Sequence, residues 1–124
     1  MCFVALKRLQ VGREGESAAI AFLKENGYRI LEKNFRSKLG EIDVIAEQAG
    51  VIVFIEVKAR SGHEFGHPFD ALTPTKQKNI IQKTQSFLVQ KRIPDKSMRF
   101  DVVVLTLDPP DSWKIGLFEN VFQV

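Results

Sequence analysis

Two apolar stretches of this chain carry charged side chains where a strand normally has none. In GEIDVIAEQAGVIVFIEVKAR, residues 40–60, Asp43 interrupts the first stretch, and Glu56 and Lys58 interrupt the second. Burying an ionised group without a partner is costly, and two carboxylates about 5 Å apart at an effective dielectric of about 20 repel each other by about 3 kcal/mol. A divalent cation would turn this repulsion into attraction. These residue types therefore indicate a metal site.

Hard oxygen ligands favour Mg²⁺ or Mn²⁺ as the cation. Asp43 and Glu56 supply carboxylates, the backbone carbonyl of Val57 lies between Glu56 and Lys58 in sequence, and phosphate oxygens would complete the shell. Lys58 would orient the nucleophile or neutralise charge that develops on the phosphate. The chemistry that this set predicts is hydrolysis of a phosphodiester by a metal-activated water.

Strand alternation decides whether these side chains can meet. Glu56 and Lys58 share one face of their strand, and Asp43 shares a face with Glu41 on the preceding strand. A two-residue turn at residues 49–50 places Asp43 opposite Glu56. The same turn places Glu41 opposite Lys58. A three-residue turn would send the two carboxylates to opposite faces. Ala-Gly is not a favoured type I′ pair, so a four-residue loop, with Asp43 diagonal to Glu56, stays open.

A third carboxylate comes from a predicted amphipathic helix, from about Arg13 to Asn26, that ends at Gly27 in the left-handed conformation. Glu16 lies on the apolar face of this helix, so it would add a ligand or a water-orienting group if the helix packs over the strands. The alternative role of Glu16 is stabilisation of the helix N-terminus. The apolar residues of that face are Ala19, Ile20 and Leu23.

The remaining pattern predicts five strands and a second helix. The second helix begins with Thr73 as N-cap and Pro74 in its first turn and runs to about Lys91. The predicted strands are residues 28–35, 41–47, 51–58, 98–107 and 113–118, the last a short edge strand. The residues of the second helix that should face inward are Ile80, Thr84, Phe87 and Leu88.

Length and composition set broad bounds. With 124 residues, 44% hydrophobic and 27% charged, we expect one domain over residues 1–124 with a core of about 12–107. No apolar run is long enough to cross a bilayer, and the N-terminus lacks the pattern of a signal peptide. A single cysteine, Cys2, favours the reducing cytoplasm. The net charge of +3 leans only weakly towards a polyanionic partner.

The order of a helical glutamate, an aspartate and E-x-K on the next strand resembles the PD-(D/E)xK nuclease superfamily, which has the restriction-endonuclease-like fold. Within it, GREGE, NFRSKLGEID, FIEVKAR and RFDVVVL together resemble the bacterial YraN-type family, from Gly12 to about Leu107. The layout is also similar to that of archaeal Holliday junction resolvases. The superfamily's proline before the aspartate is replaced by Ile42, a departure that is frequent in the superfamily.

This resemblance implies an α/β protein with a three-layer fold, in which helices flank a central mixed sheet of about five strands. By residue-level match it implies a catalytic set of Glu16, Asp43, Glu56 and Lys58. The implied function is a metal-dependent endonuclease acting on nucleic acid, with DNA, including branched or junction DNA, as the expected substrate. A resolvase-like role would need a two-fold dimer. The alternative is a non-catalytic nucleic-acid-binding or assembly module that keeps the fold.

Basic residues near the predicted site are candidates for contact with the phosphate backbone. Lys76 and Gln77 open the second helix and would overhang the site. An equally plain interpretation is a solvated charged face. The other candidates are Lys78 and Lys83 on the second helix, and Arg13, Arg36, Lys38 and Arg60 near the site.

Three further patterns have competing interpretations. HEFGH, residues 63–67, satisfies the zinc-protease motif H-E-x-x-H, but Gly66 and the following Pro68 argue against the helix that this motif needs. A loop with His63 or His67 near a phosphate is favoured over a protease, and solvent-exposed histidines are favoured over both. Asp101 is a weaker site candidate, and pairing with Arg99 or capping of a loop is favoured over a catalytic role. The charged strand residues themselves would be structural if Glu41 and Lys58 formed an exposed ion pair worth a few tenths of a kcal/mol.

Overall fold

The structure is a computed structural model that describes residues 3–61, 73–93, 97–108 and 112–120, with side chains for 14–58, 73–93, 97–106 and 114–120. The predicted HEFGH segment and the rest of 62–72 lie outside the described residues. In chain order the elements are α1 (Phe3–Glu25), β1 (Arg29–Ser37), β2 (Gly40–Gln48), β3 (Val51–Ser61), α2 (Pro74–Gln90), β4 (Met98–Asp108) and β5 (Ser112–Phe118).

The seven elements match the predicted ones in type and order, but α1 begins ten residues earlier than predicted. The predicted start, at about Arg13, lies just after Gly12. A glycine costs only about 1 kcal/mol relative to alanine inside a helix, and the flanking Leu, Lys, Arg and Gln residues are good helix formers. At the other end Gly27 has φ +84, and Tyr28 N–H donates to Leu23 O at 3.0 Å, as in a Schellman motif.

The strands form one mixed sheet in the order β1-β2-β3-β4-β5. The first three strands and the β4–β5 pair are antiparallel, whereas β3 and β4 are parallel, with α2 in the connection between them. One helix covers each face of the sheet, which gives three layers. The predicted α/β class, the mixed sheet of five strands and the flanking helices are therefore confirmed.

The β2–β3 hairpin turns on two residues, as strand parity requires. Ala49 and Gly50 both have positive φ, at +50 and +80, as in a type I′ turn. Gln48 lies opposite Val51, so the four-residue alternative is wrong. Placing an alanine in this left-handed region costs about 1–2 kcal/mol. Alanine is therefore uncommon in such turns, and the Ala-Gly pair alone did not predict this one.

The two faces of the sheet carry separate cores. The core under α1 is aliphatic apart from Tyr28; its fully buried members include Ala19, Leu23, Val44, Val53 and Leu105. The core under α2 is aromatic: Phe87 of the helix contacts Phe35 and Phe54 edge-on, with ring centroids 5.1 and 5.9 Å apart, and Phe54 stacks on Phe100. Edge-on aromatic pairs contribute about 0.5–1.5 kcal/mol beyond the area they bury. This cluster fixes α2 against the sheet.

The start of α2 follows its sequence closely. Thr73 is the N-cap, and its hydroxyl accepts the backbone N–H of Lys76 at 3.2 Å, while Pro74 occupies the first turn. Thr84 and Phe87 are buried, as predicted, and Ile80 and Leu88 pack against the same core. Among the described residues, no helix is long and apolar enough to cross a membrane.

Candidate active site

A pocket of about 300 Å³ lies between α2 and the sheet, at the end of the β2 and β3 strands away from their turn. Acidic side chains of the sheet form one wall, and basic or polar side chains of α2 form the other. The polar residues that carry the argument below are Asp43, Glu56, Lys58, Lys76, Asn79 and Lys83. Three of the four predicted catalytic residues therefore share one cavity with the predicted Lys76.

Asp43 occupies a break in the strand pairing. The β2–β3 ladder ends with Val44 opposite Ile55, so the expected continuation to Asp43 opposite Glu56 is not part of it. Instead, the Asp43 carboxylate accepts the backbone N–H of Val57 at 2.9 Å. The side chain thus takes the hydrogen bond that a backbone carbonyl of β2 would otherwise accept, and this holds its carboxylate beside β3.

Burial raises the pKa of Asp43 above its ordinary value of 3.8, and the negative charges of Glu56, Glu41 and Glu16 raise it further. The hydrogen bond from Val57 acts in the opposite direction and does not cancel these effects. A carboxylate whose ionised form is disfavoured by burial and by other carboxylates gains from a nearby cation. Burial and neighbouring carboxylates thus disfavour the ionised form of Asp43, as expected from the sequence.

Glu16 lies apart from the pocket lining. It is half-buried on α1, above the other face of the sheet, and its Oε1 accepts a hydrogen bond from Asn34 Nδ2 at 2.9 Å. Asn34 adopts φ +53, a conformation that asparagine tolerates better than most residues. Glu16 is nevertheless close enough for its charge to raise the pKa of Asp43.

Within the part of the chain that the structure describes, no group of three or more His, Cys, Asp or Glu side chains is arranged to hold a metal ion. The donor types still fit a hard cation, because Asp43 and Glu56 line one cavity and Asp43 is bound to the backbone of Val57. The N–H and C=O of a residue in an antiparallel pair point to the same neighbouring strand. The Val57 carbonyl is therefore expected on the Asp43 side.

The predicted substrate-contact residues are distributed unequally. Lys76 lines the pocket, whereas Gln77, next to it in α2, does not. Arg36 lies 3.7 Å from Glu41 with 83% of its side chain exposed, and Lys38 is exposed in the β1–β2 turn. The side chains of Arg13 and Arg60 lie outside the described residues.

Two further polar residues of α2 line the pocket: Lys83, which was predicted as a candidate phosphate contact, and Asn79, which was not. Asn79 and Lys83 follow Lys76 at i+3 and i+7, the spacing of a single helical face, which was the available signal. Lys83 Nζ donates to the Glu41 carbonyl at 3.4 Å and thereby reaches across from α2 to β2. Glu41 pairs with Arg36, its cross-strand neighbour on β1.

Asp101 has the structural role that was favoured for it. It is 1% exposed, Arg99 Nε donates to its Oδ1 at 3.0 Å, and the Tyr28 hydroxyl donates to its Oδ2 at 2.9 Å. The Asn120 N–H also donates to Oδ1, and Arg99 Nη2 donates to Gln48 at 2.7 Å. Burial, together with the negative charge of Asp101, raises the pKa of Tyr28 well above its usual range.

The three layers, the mixed sheet and the acidic pocket at its centre define an α/β protein with the architecture of the restriction-endonuclease-like fold. The chain belongs to the family described as Uncharacterised protein family UPF0102, whose model matches residues 15–105. This is the YraN-type family that the sequence motifs resemble, so that prediction is confirmed.

Similar proteins of this family are found in several bacteria. A UPF0102 protein of Syntrophus aciditrophicus is 41% identical over 124 residues, which cover 100% of this chain and 97% of that protein. A UPF0102 protein of Clostridium botulinum (strain Loch Maree / Type A3) is 44% identical over 116 residues, covering 92% and 94% of the two chains. A UPF0102 protein of Caldicellulosiruptor saccharolyticus is 39% identical over 118 residues, covering 94% and 100%.

Proposed function

We propose that this protein is a Mg²⁺- or Mn²⁺-dependent nuclease that hydrolyses phosphodiester bonds in nucleic acid, with DNA as the substrate. The observation that carries the proposal is the half-buried Asp43, whose pKa is raised by burial and by three neighbouring carboxylates. Burial and repulsion that one hydrogen bond only partly offsets do not stabilise a fold, and carboxylates with raised pKa values cluster at functional sites. The lysines that face it across the pocket suit a polyanion.

In this proposal Asp43 and Glu56, with the Val57 carbonyl, hold the cation. When bound, a divalent cation supplies Lewis-acid chemistry: it polarises the phosphate and makes an attacking water more acidic. Lys58 neutralises negative charge that develops on the phosphate oxygens. Glu16, held by Asn34, orients water from the far side of the cluster.

The α2 wall would bind the phosphates next to the scissile one. Lys76 and Lys83 are seven residues apart on one helical face, a distance of about 10 Å along the axis. Stacked nucleotides rise about 3.4 Å each along a strand, so the two lysines span about three nucleotides. Asn79 lies between them and offers both a donor and an acceptor.

A cleavage screen tests the proposal. Single-stranded, duplex, flap and four-way substrates of DNA and RNA are incubated with the protein in Mg²⁺ or Mn²⁺, and products are resolved on denaturing gels. We expect DNA cleavage that EDTA stops and that Asp43→Asn lowers by at least about 100-fold. The matched control is Glu47→Gln, which removes a carboxylate of the same strand, four residues away, and should leave cleavage unchanged.

Failure of the wild-type protein to cut any of these substrates would exclude the nuclease, as would equal losses in the two variants. A titration calorimetry experiment adds a second readout, because Glu56→Ala should weaken binding of Mn²⁺ that the wild-type protein shows in the low-millimolar range. Cation binding without cleavage of any substrate would support the metal site and still exclude the nuclease.

The second candidate is a non-catalytic module that binds nucleic acid through the same pocket. What favours it is Glu16, which hydrogen-bonds Asn34 instead of joining the pocket, together with the lack of a three-ligand group among the described side chains. Its signature would be nucleic-acid binding that neither cations nor Asp43→Asn change.

Sedimentation at micromolar concentration would show whether the protein forms the homodimer that symmetric cutting of a junction requires. We propose that the nuclease acts in the cytoplasm, on the basis of the single cysteine.

A further inference from the structure

The turn between β1 and β2 presents an exposed leucine among cations. We call residues 36–40 the β1–β2 tip: Ser37 pairs with Gly40, so Lys38 and Leu39 form a two-residue loop. Leu39 is 52% exposed, and Lys38 and Arg36 are exposed beside it. A lone surface leucine normally calls for no explanation. Three properties of this one, taken together, do.

The first property is the charge around Leu39. The tip contains two cations and no acidic residue. The ion pair of Arg36 with Glu41 is long, at 3.7 Å, and its exposed guanidinium can exchange that carboxylate for a phosphate at little cost. An apolar side chain flanked by cations matches a base stack flanked by its phosphates.

The second property is that the tip is braced. The Ser37 hydroxyl accepts the Leu39 N–H at 3.1 Å and donates to Gly40 O at 3.3 Å. Gly40 has φ +128, and a Cβ there would lie 2.8 Å from Cε of Lys83, so the lysine stem fills the space beside it. Lys83 is itself bound to the Glu41 carbonyl. A braced loop loses less conformational entropy on binding than a mobile one.

The third property is proximity to the pocket. Leu39 and Asp43 are four residues apart, so their Cα atoms are separated by no more than about 14 Å. That distance corresponds to about four stacked nucleotides at 3.4 Å each. Lys83 contacts the tip at Gly40 and lines the pocket, so the tip and the acidic cluster belong to one continuous surface.

We propose that Leu39 is a wedge: it inserts between bases at an opened step while Arg36 and Lys38 hold the adjoining phosphates. Apolar side chains that enter base steps unstack them at a cost of a few kcal/mol per step, so a step that is already unpaired is favoured. This inference rests on the proposed function and names its substrate class, which is DNA with an unpaired or branched position within about four nucleotides of the cut.

The test measures binding and unstacking in Ca²⁺, without Mg²⁺ or Mn²⁺, because Ca²⁺ also takes carboxylate ligands. The probes are a forked and a fully paired DNA of the same sequence, each with 2-aminopurine at the step beside the fork. We expect the wild-type protein to bind the fork about tenfold more tightly, equivalent to about 1.4 kcal/mol, and to raise 2-aminopurine fluorescence. Leu39→Ser should lose both effects.

The matched control is Val89→Ser. Val89 is an aliphatic side chain that is 79% exposed at the end of α2 and does not line the pocket, so its replacement should leave the preference for the fork intact. Equal binding of fork and duplex by the wild-type protein would overturn the wedge. So would a Leu39→Ser protein that binds and unstacks like the wild type, or one that only loses a dimer in sedimentation while its DNA binding is unchanged.

The wedge and the nuclease fail separately. Unstacking of forks by a protein that cuts nothing in Mg²⁺ or Mn²⁺ would leave the wedge standing and exclude the nuclease. Cleavage that is equal on forked and paired DNA, and unaffected by Leu39→Ser, would support the nuclease and exclude the wedge.

Discussion

Two aspartates sit in the strands of this sheet under opposite conditions. Asp101 is fully buried and accepts hydrogen bonds from Arg99, Tyr28 and the Asn120 backbone. Asp43 is only half-buried, yet it has one backbone donor and three carboxylates around it. The more buried charge is thus the better compensated one. The proposed role of Asp43 therefore rests on burial with few donors and not on burial alone.

The two aspartates also differ in what they connect. The Asp101 network joins β4 to β2 and to Tyr28, the residue before β1, with Tyr28 and Asp101 being 73 residues apart. Such a network stabilises the fold because every buried polar atom in it has a partner, and no described buried side-chain polar atom lacks one. Asp101 also lines the pocket, but its carboxylate oxygens accept hydrogen bonds from Arg99 and Tyr28, whereas the Asp43 carboxylate accepts the Val57 N–H. Removing the charge of Asp101 should therefore lower the stability of the fold, and removing the charge of Asp43 should raise it.

The largest expected effect is the loss of stability on changing Asp101 to alanine. The change leaves the Arg99 charge without its carboxylate and the Tyr28 hydroxyl without its acceptor. Breaking a buried ion pair from one side costs about 3–5 kcal/mol. Urea denaturation followed by circular dichroism should show this loss in the free energy of unfolding. Asp101→Asn keeps one acceptor oxygen and should lose less; a loss below about 1 kcal/mol for the alanine variant would show that the network does not stabilise the fold.

The second effect has the opposite sign. Asp43→Asn removes a charge that its neighbours disfavour and keeps an oxygen to accept the Val57 N–H, so we expect the free energy of unfolding to rise by about 0.5–1 kcal/mol at neutral pH without added cation. Asp43→Ala also loses that acceptor and should be destabilised by about 1–3 kcal/mol. The same urea titrations measure both. If the asparagine variant were less stable than the wild type, the carboxylate would be a structural residue like Asp101.

The third prediction concerns pH. The folded-state pKa of Asp43 lies above its ordinary value, so the folded protein binds this proton more tightly than the unfolded chain. The contribution of Asp43 to stability is therefore most favourable below its ordinary pKa and is lost as pH rises through the folded-state value. The slope is a fraction of the limit of about 1.4 kcal/mol per pH unit for one proton. It should appear as a pH-dependent stability difference between the wild type and Asp43→Asn.

Added Mn²⁺ should reduce that pH-dependent difference, since a cation stabilises the ionised carboxylate. The measurement is a pair of denaturation series between pH 4 and pH 7, with and without Mn²⁺, on both proteins. A difference that stays constant across this range would contradict a raised pKa for Asp43. A difference that Mn²⁺ leaves untouched would contradict cation binding at this carboxylate.

The part of the site that sequence could predict depends on short-range periodicity. Alternation along β2 and β3 and the requirement for an even turn were enough to bring Asp43 and Glu56 into one cavity, and capping chemistry was enough to start α2 at Pro74. The contacts that could not be predicted depend on tertiary packing. Glu16 is held by Asn34, whose left-handed backbone has no clear sequence signal, and Lys83 reaches β2 only because the Phe87 cluster fixes the helix.

The end of the β2–β3 ladder could not be read from the pattern either. Alternation continues in the sequence through Asp43 and Glu56, but the pairing stops at Val44 because a side-chain oxygen of Asp43 takes the next N–H. Side chains that compete for backbone hydrogen bonds are a known property of aspartate. The same competition fixes the Asp43 carboxylate where β2 lines the pocket.

The smallest expected effect is the loss of an exposed ion pair, which tests whether pairing of charges without burial stabilises the fold. Arg29 and Glu47 form an ion pair of 3.0 Å between β1 and β2, but the arginine side chain is 70% exposed. Exposed pairs of this kind contribute about 0–1 kcal/mol because water screens them, so Arg29→Ala should change the free energy of unfolding by no more than about 0.5 kcal/mol. The measurement is urea denaturation at low and high salt. A loss comparable to that of Asp101→Ala would show that an exposed ion pair stabilises this sheet as much as a buried one. Burial with full hydrogen bonding would then not explain the difference between Asp101 and Asp43.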